Sequence, residues 1–252
     1  MQTVRMVVRL VLIVLMSIVL VTLRFLVWPT CFVSERADRH LRRILLQTWN
    51  RCFARIAGIR VVAEGPVPKP PFFMVANHLS YLDMLVLTHL TGCIYVARGD
   101  VEHWPVIGPL SKSMYVIFID RQSRRDTVRV NKLISHAIEM GDAVGVFAES
   151  RISPGLDVEP FKSALIEPAV AAKLPVYYAT LGYETLPGCP PASEIVSWWR
   201  PESFPYHLKR LLRHRGVIAR ARFGDEPLLG DDRKELAPRL HAAVRANFIP
   251  LK

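Results

Sequence analysis

Residues 72–90 read FFMVANHLSYLDMLVLTHL, and their character changes in the middle. Residues 72–76 form an unbroken apolar run of strand length, the pattern of a strand buried on both faces. From Tyr81 to Leu90 the apolar residues recur at helical spacing. Between the two lie Asn77, His78, Leu79 and Ser80, a polar turn. A buried strand feeding a helix through a short turn is the building unit of a parallel sheet covered on both sides.

Working outward, the same alternation continues. The β-rich runs 60–63, 94–97, 115–119, 143–147, 176–181 and 217–222 predict further strands. Residues 81–90, 125–140, 162–173, 204–214 and 233–247 predict helices. Gly141 follows the second of these as a helix stop. The expected fold class is α/β: a mostly parallel central sheet flanked by helices, preceded by a membrane-associated helical segment. Ligands of such sheets bind beyond the carboxyl ends of the strands. The residues that leave each apolar run are therefore the candidates for chemistry.

The N-terminus differs from the rest. Residues 10–23, LVLIVLMSIVLVTL, carry no charge, and Arg9 and Arg24 bracket them. With Phe25, Leu26, Val27 and Trp28 the run approaches the ~20 apolar residues of a bilayer span, provided Arg24 snorkels or faces the interface. A buried core helix is the competing reading. Arg36, Arg39, Arg42 and Arg43 follow the run, which by the positive-inside rule puts the larger domain in the cytoplasm. Residues 38–57 place Leu41, Leu45, Trp49 and Phe53 at helical spacing among arginines. This reads equally as an amphipathic helix on an anionic membrane and as an ordinary helix packed on the core. Residues 1–57 are thus expected to be the membrane-anchoring part, and residues 58–252 the α/β domain.

Composition excludes several classes. The 252 residues are 51% hydrophobic, too apolar for a disordered chain. Lys+Arg 33 against Asp+Glu 22 gives a net charge of +11, which favours anionic partners. Cys31, Cys52, Cys93 and Cys189 lie far apart, without zinc spacing or a disulfide framework. No P-loop, GxGxxG, GxSxG or HExxH is present. The basic run 209–215 lacks the aromatic interleaving of a single-strand platform, so nucleic acid is not expected. Anionic lipid is the expected partner of the basic surface, and neither a metal nor a cofactor is implied.

Three strand ends carry chemistry. After 72–76 come His78 and, five residues on, Asp83. On one continuous helix these would lie about 140° apart. They can meet if His78 sits in the turn and Asp83 in the first helical turn. Asp83 would then orient the imidazole and support its cation. Ser80-x-x-Asp83 reads equally as a capping box, which needs no catalysis. After 115–119 come Asp120 and Arg121, whose guanidinium can grip an anionic group. After 143–147 come Ala148, Glu149 and Ser150, then Pro160, Phe161 and Lys162.

Taken in order, these blocks resemble the glycerolipid acyltransferase family of the lysophosphatidic acid acyltransferase type. Asn77, His78 and Asp83 match its Asn-His-x-x-x-x-Asp block. Phe118, Ile119, Asp120 and Arg121 match the second. Phe147, Glu149, Pro160, Phe161 and Lys162 match the third, and Leu174, Pro175 and Val176 approximate the fourth. The resemblance spans roughly residues 59–224. Ala148 and Ser150 stand where the family pattern has proline and glycine, and Tyr178 replaces a usual proline. Trp198, Trp199, Phe204 and Pro205 resemble the branch that includes lyso-ornithine lipid acyltransferases.

The resemblance implies transfer of a fatty acyl group from acyl-CoA or acyl carrier protein to the hydroxyl of a lysolipid. The commonest acceptor would be 1-acyl-glycerol-3-phosphate, in phospholipid synthesis. Lyso-ornithine lipid is the alternative, and a catalytically inactive membrane-surface protein is the alternative of another class. His78 and Asp83 are the implied catalytic pair. Asn77, Arg121, Glu149, Ser150 and Lys162 are the implied substrate-binding residues.

Overall fold

The computed structural model describes residues 1–104, 107–120 and 123–251. Seven strands form the sheet: β1 (Ile59–Glu64), β2 (Phe72–Ala76), β3 (Ile94–Arg98), β4 (Ile117–Ile119), β5 (Ala143–Phe147), β6 (Val176–Thr185) and β7 (Val217–Phe223). Their order is β1-β7-β6-β2-β5-β3-β4. Every neighbouring pair is parallel except β6–β7. The expected mostly parallel α/β sheet is therefore the observed one.

The pleat explains the two cores. Along β2, Phe72, Met74 and Ala76 point to one face, and Phe73 and Val75 to the other. All five are buried, as the apolar run requires. The first face is covered by α2 (Glu35–Ala57), α3 (Leu82–Thr91) and α8 (Phe204–Arg213), with the short α7 (Ala192–Ile195) beside them. The second face is covered by α5 (Arg124–Glu139), α6 (Glu167–Ala171) and α9 (Arg233–Ala246). A further short helix, α4 (Ile107–Ser113), precedes β4.

Two expected elements are shorter than the sequence suggests. The 162–173 helix is broken into a 3₁₀ turn at Ser163–Leu165 and α6. Pro168 has no N–H to give to the preceding turn, so a continuous helix cannot pass through it. The 115–119 strand is confined to Ile117–Ile119. Tyr115 has φ +58, a left-handed conformation that ends extended structure.

The apolar N-terminal run forms α1 (Gln2–Val27), long and apolar enough to cross a membrane. It lies against the domain. Near its start, Arg9 donates to the carbonyls of Leu212, His214 and Arg215 at the end of α8, at 3.2, 2.7 and 3.0 Å. Near its other end, Arg24 is only 3% exposed. It does not snorkel, because it pairs with the wholly buried Asp38 at 2.6 Å and donates to the Ser113 carbonyl. Only Ile13 and Arg24 are buried in α1, while Val4, Val8, Val11, Leu15, Ile18 and Leu26 stand in the open.

The arginines of α2 divide. Arg39 and Arg42 turn inward and clasp the buried Asp142 at the start of β5, Arg39 at 2.6 Å. Arg43 donates to the Gly141 carbonyl. Arg36, Arg51 and Arg55 remain exposed. For this part of the helix the packed-core reading describes the contacts, because a guanidinium forks well onto a buried carboxylate.

Candidate active site

β2 and β5 run side by side, with Ala76 opposite Phe147. Two residues beyond this pair lie His78 and Glu149, so the sheet brings two distant blocks together at the strands' carboxyl ends. α3 begins only at Leu82. His78 therefore sits in the turn and Asp83 in the first helical turn, and the two side chains meet. Nδ1 of His78 lies 2.8 Å from Oδ2 of Asp83. The His78 ring stacks on Phe147, with centroids 4.0 Å apart and planes 10° from parallel. Phe147 in turn stacks on Tyr95. Ring stacking and the carboxylate together fix the imidazole plane.

Asp83 is wholly buried, and hydrogen-bond donors reach both of its oxygens. Oδ2 accepts from the backbone N–H of Leu79 at 2.6 Å and of Ser80 at 2.8 Å. Oδ1 accepts from the hydroxyl of Tyr183 at 2.6 Å. The Ser80 N–H bond is one half of a capping box. The other half is missing, because the buried Ser80 hydroxyl oxygen has no partner among the described residues. Asp83 thus anchors the helix start and orients His78 with one carboxylate, and the two sequence readings describe one geometry.

Tyr183 is the residue that sequence reasoning missed. It lies on β6, beyond the expected end of that strand at residue 181, and 100 residues from Asp83. Burial, with the Asp83 carboxylate beside it, pushes its phenol well above its ordinary pKa. The available signal was the alternating run after Val176, whose buried members include Leu181 and Tyr183.

Glu149 is 2% exposed. Oε1 accepts from the His78 N–H at 2.7 Å and Oε2 from the Glu159 N–H at 3.2 Å. The carboxylate joins the first block to both ends of the third. Burial raises its pKa to about 8, against the lowering effect of those two N–H bonds. Asn77 is also fully buried, and its amide pairs with both backbone groups of Leu181 on β6, at 3.0 and 2.7 Å.

The other expected site residues lie apart from this group. Ser150 and Lys162 line a cavity of about 320 Å³ together with Val96, Ile119, Ile134 and Val146. Those four apolar residues belong to, or pack on, the second core, across the sheet from the His78 ring. Ser150 adopts φ +67, so it keeps the left-handed backbone that glycine takes without cost. Arg121 lies outside the described residues.

A histidine held at Nδ1 by a carboxylate offers Nε2 as a proton acceptor. The pair can therefore take a proton from an alcohol and return it to a leaving group.

Comparisons with known proteins bear on the family and the fold. A family model described as Acyltransferase matches residues 58–181. The chain is 29% identical over 231 residues to the lyso-ornithine lipid O-acyltransferase of Brucella abortus, covering 86% of each protein. It is 33% identical over 120 residues to the 1-acyl-sn-glycerol-3-phosphate acyltransferase of Neisseria gonorrhoeae, covering 47% of each. Among solved structures, the 1-acyl-sn-glycerophosphate acyltransferase of Thermotoga maritima shares the fold. The TM-score is 0.72 over 98% of this chain and 95% of that one, at 17% identity.

Proposed function

We propose, from the premise that this chain is an acyltransferase of the glycerolipid family, that it moves a fatty acyl group from a thioester to the free hydroxyl of a lysolipid at a cytoplasmic membrane surface. The observation that carries the reading is the buried contact of Asp83 with Nδ1 of His78 at a parallel-strand end. A thioester is already activated, so the protein needs no nucleophile of its own. It needs a base for the alcohol and a proton donor for the departing thiolate.

Nε2 of His78 takes the hydroxyl proton as the lysolipid oxygen attacks the thioester carbonyl carbon. The tetrahedral oxyanion collapses, the C–S bond breaks, and the imidazolium returns its proton to the thiolate. An ester and a free thiol result. Asp83 holds the ring and supports the imidazolium, Tyr183 holds Asp83, and Glu149 and Asn77 position the loop that carries His78. Arg121 is the proposed contact for the acceptor head group, whereas Ser150 and Lys162, which line the apolar cavity on the other side of the sheet, are not assigned to it. The donor is acyl-CoA or acyl carrier protein.

Lyso-ornithine lipid is the acceptor we favour. Its acyltransferases match along most of the chain, whereas the glycerol-phosphate enzyme of Neisseria gonorrhoeae matches over 47% of it. Lysophosphatidic acid is the second reading, supported by that half-length match, which is the more identical of the two. Competition decides between them: equal amounts of both lysolipids, one acyl donor, and products resolved by mass. Acylated ornithine lipid as the main product supports the first reading, and exclusive phosphatidic acid rejects it.

The membrane reading rests on α1. From Arg9 to Arg24 the helix runs about 22 Å along the domain, fastened at both ends. We therefore propose that α1 lies in the surface layer of the bilayer, its open apolar flank in lipid, rather than carrying the domain from a crossing.

A further inference from the structure

We infer that the outer stripe of α8 is a second membrane-seating surface, which rests on anionic lipid head groups and sets the His78 loop at the lipid boundary. The inference rests on the reading of α1 as lipid-facing and extends it to the C-terminal part of the chain.

The helix is sharply two-sided. His207, Leu211 and Leu212 face inward and are buried. Tyr206, Lys209 and Arg213 are exposed and lie within an arc of about 60° at 100° per residue. Arg215, just beyond the helix, and Trp199, in the segment leading to it, are exposed as well. Among the described residues, none of the ion pairs involves Lys209, Arg213 or Arg215. The nearby Glu202 is already engaged by Arg210 at 2.6 Å, so it does not offset the stripe. The surface thus combines cations with exposed amphipathic aromatic rings, the composition that suits the head-group layer.

Two contacts place this surface. On one side, α8 meets α1: Arg5 donates to the Arg213 carbonyl at 3.0 Å, and Arg9 to carbonyls at the same helix end. The cationic stripe is therefore continuous with the start of the exposed apolar flank of α1. On the other side, α8 and its leading segment grip the first block. Tyr81 packs edge-on against Trp198, Phe204 and His207, and the Trp198 N–H donates to the Leu79 carbonyl at 3.2 Å. A bilayer under the outer stripe would thus be one helix thickness from the loop that holds His78. An acidic carrier protein would also meet the charge, but it would not explain the exposed Trp199 and Tyr206 or the continuity with α1. The commitment here is to anionic lipid.

The test uses the full chain and sedimentation with vesicles of pure phosphatidylcholine or of phosphatidylcholine with phosphatidylglycerol. Binding to neutral vesicles reports α1, and the gain on anionic vesicles reports α8. In the K209E/R213E/R215E variant, the anionic gain should fall roughly a hundredfold or more, as expected from about fivefold for each of three surface cations. Neutral binding should stay as in the wild type. Turnover of a short-chain, water-soluble lysolipid with acyl-CoA should also be unchanged, which shows that the domain is folded. The milder K209Q/R213Q variant should fall between. An undiminished anionic gain in both variants overturns the inference. So does a loss confined to reactions with acyl carrier protein as donor, which would assign the stripe to that protein. Loss of neutral binding in the wild type would instead reject the reading of α1, so the two failures are distinct.

Discussion

Asp83 and Asp142 are both buried carboxylates, yet the chain surrounds them in opposite ways. Asp142 sits between two guanidinium groups, Arg39 and Arg42. Asp83 is held by two backbone N–H groups, a tyrosine hydroxyl and an imidazole. Paired with arginines, the Asp142 charge is neutralised where it stands, and the carboxylate works as a pin between α2 and β5. Held by neutral donors, the Asp83 charge is solvated but not cancelled, so it can respond when a proton arrives on His78. Burial is common to both. The chemistry of the neighbours separates a fastening from a working group.

The comparison breaks if the two carboxylates prove interchangeable. The largest effect is expected at the working pair. His78→Ala and Asp83→Asn should each reduce turnover by about 10³-fold, within the range of general acid–base catalysis. The melting temperature should move little for His78→Ala, and for Asp83→Asn by the roughly 1.5–3 kcal/mol that a weakened hydrogen bond to a buried charge requires. Steady-state kinetics beside thermal unfolding separates the two quantities, and turnover within tenfold of wild type for His78→Ala would remove it from the mechanism.

Asp142→Ala should show the reverse. Leaving Arg39 and Arg42 buried without their partner should cost about 3–5 kcal/mol of stability. Turnover per folded molecule should stay near wild type, measured below the melting transition. A large loss of turnover at full folding would place Asp142 with Asp83 and erase the distinction.

Tyr183→Phe sharpens the comparison by removing a single donor from Asp83. A hydrogen bond to a charged group is worth about 1.5–3 kcal/mol. The variant should lose stability of that order. Its kcat should also fall with KM unchanged, because the phenol touches Asp83 and not substrate. A variant that loses stability alone would make Tyr183 a packing residue.

The last test concerns the pH slope set by Glu149. Its folded pKa of about 8 lies above the unfolded value, so the folded state holds more protons across that interval. The contribution to stability is full below the unfolded pKa and is lost as pH rises towards 8. The wild-type melting temperature should carry a downward slope over this window, and Glu149→Gln should flatten it. Parallel slopes in the two proteins would show that Glu149 does not titrate there.

Much of this site was legible in the sequence because its key pair is local. His78 and Asp83 are five residues apart, and the strand-turn-helix pattern around them follows from apolar periodicity. Tyr183 was not legible, since its value depends on β6 lying beside β2 and extending to residue 185. The inward turn of Arg39 and Arg42 was likewise hidden. A basic residue on a helix looks the same in sequence whether a buried carboxylate or a lipid head group awaits it. Asp142 is a hundred residues further along the chain.

The sequence by itself determined the alternation of strand and helix, the long apolar N-terminal segment, and the residue types that leave each strand. These are local properties, set by hydrophobic period and turn chemistry within a few residues. Only the tertiary structure decided which strands became neighbours, which cations were buried and which stayed open, and that Ser150 keeps a glycine-like backbone while facing an apolar cavity away from His78. Those outcomes depend on which distant segment closes onto which, and that is settled by the packing of the whole core rather than by any one stretch of the chain.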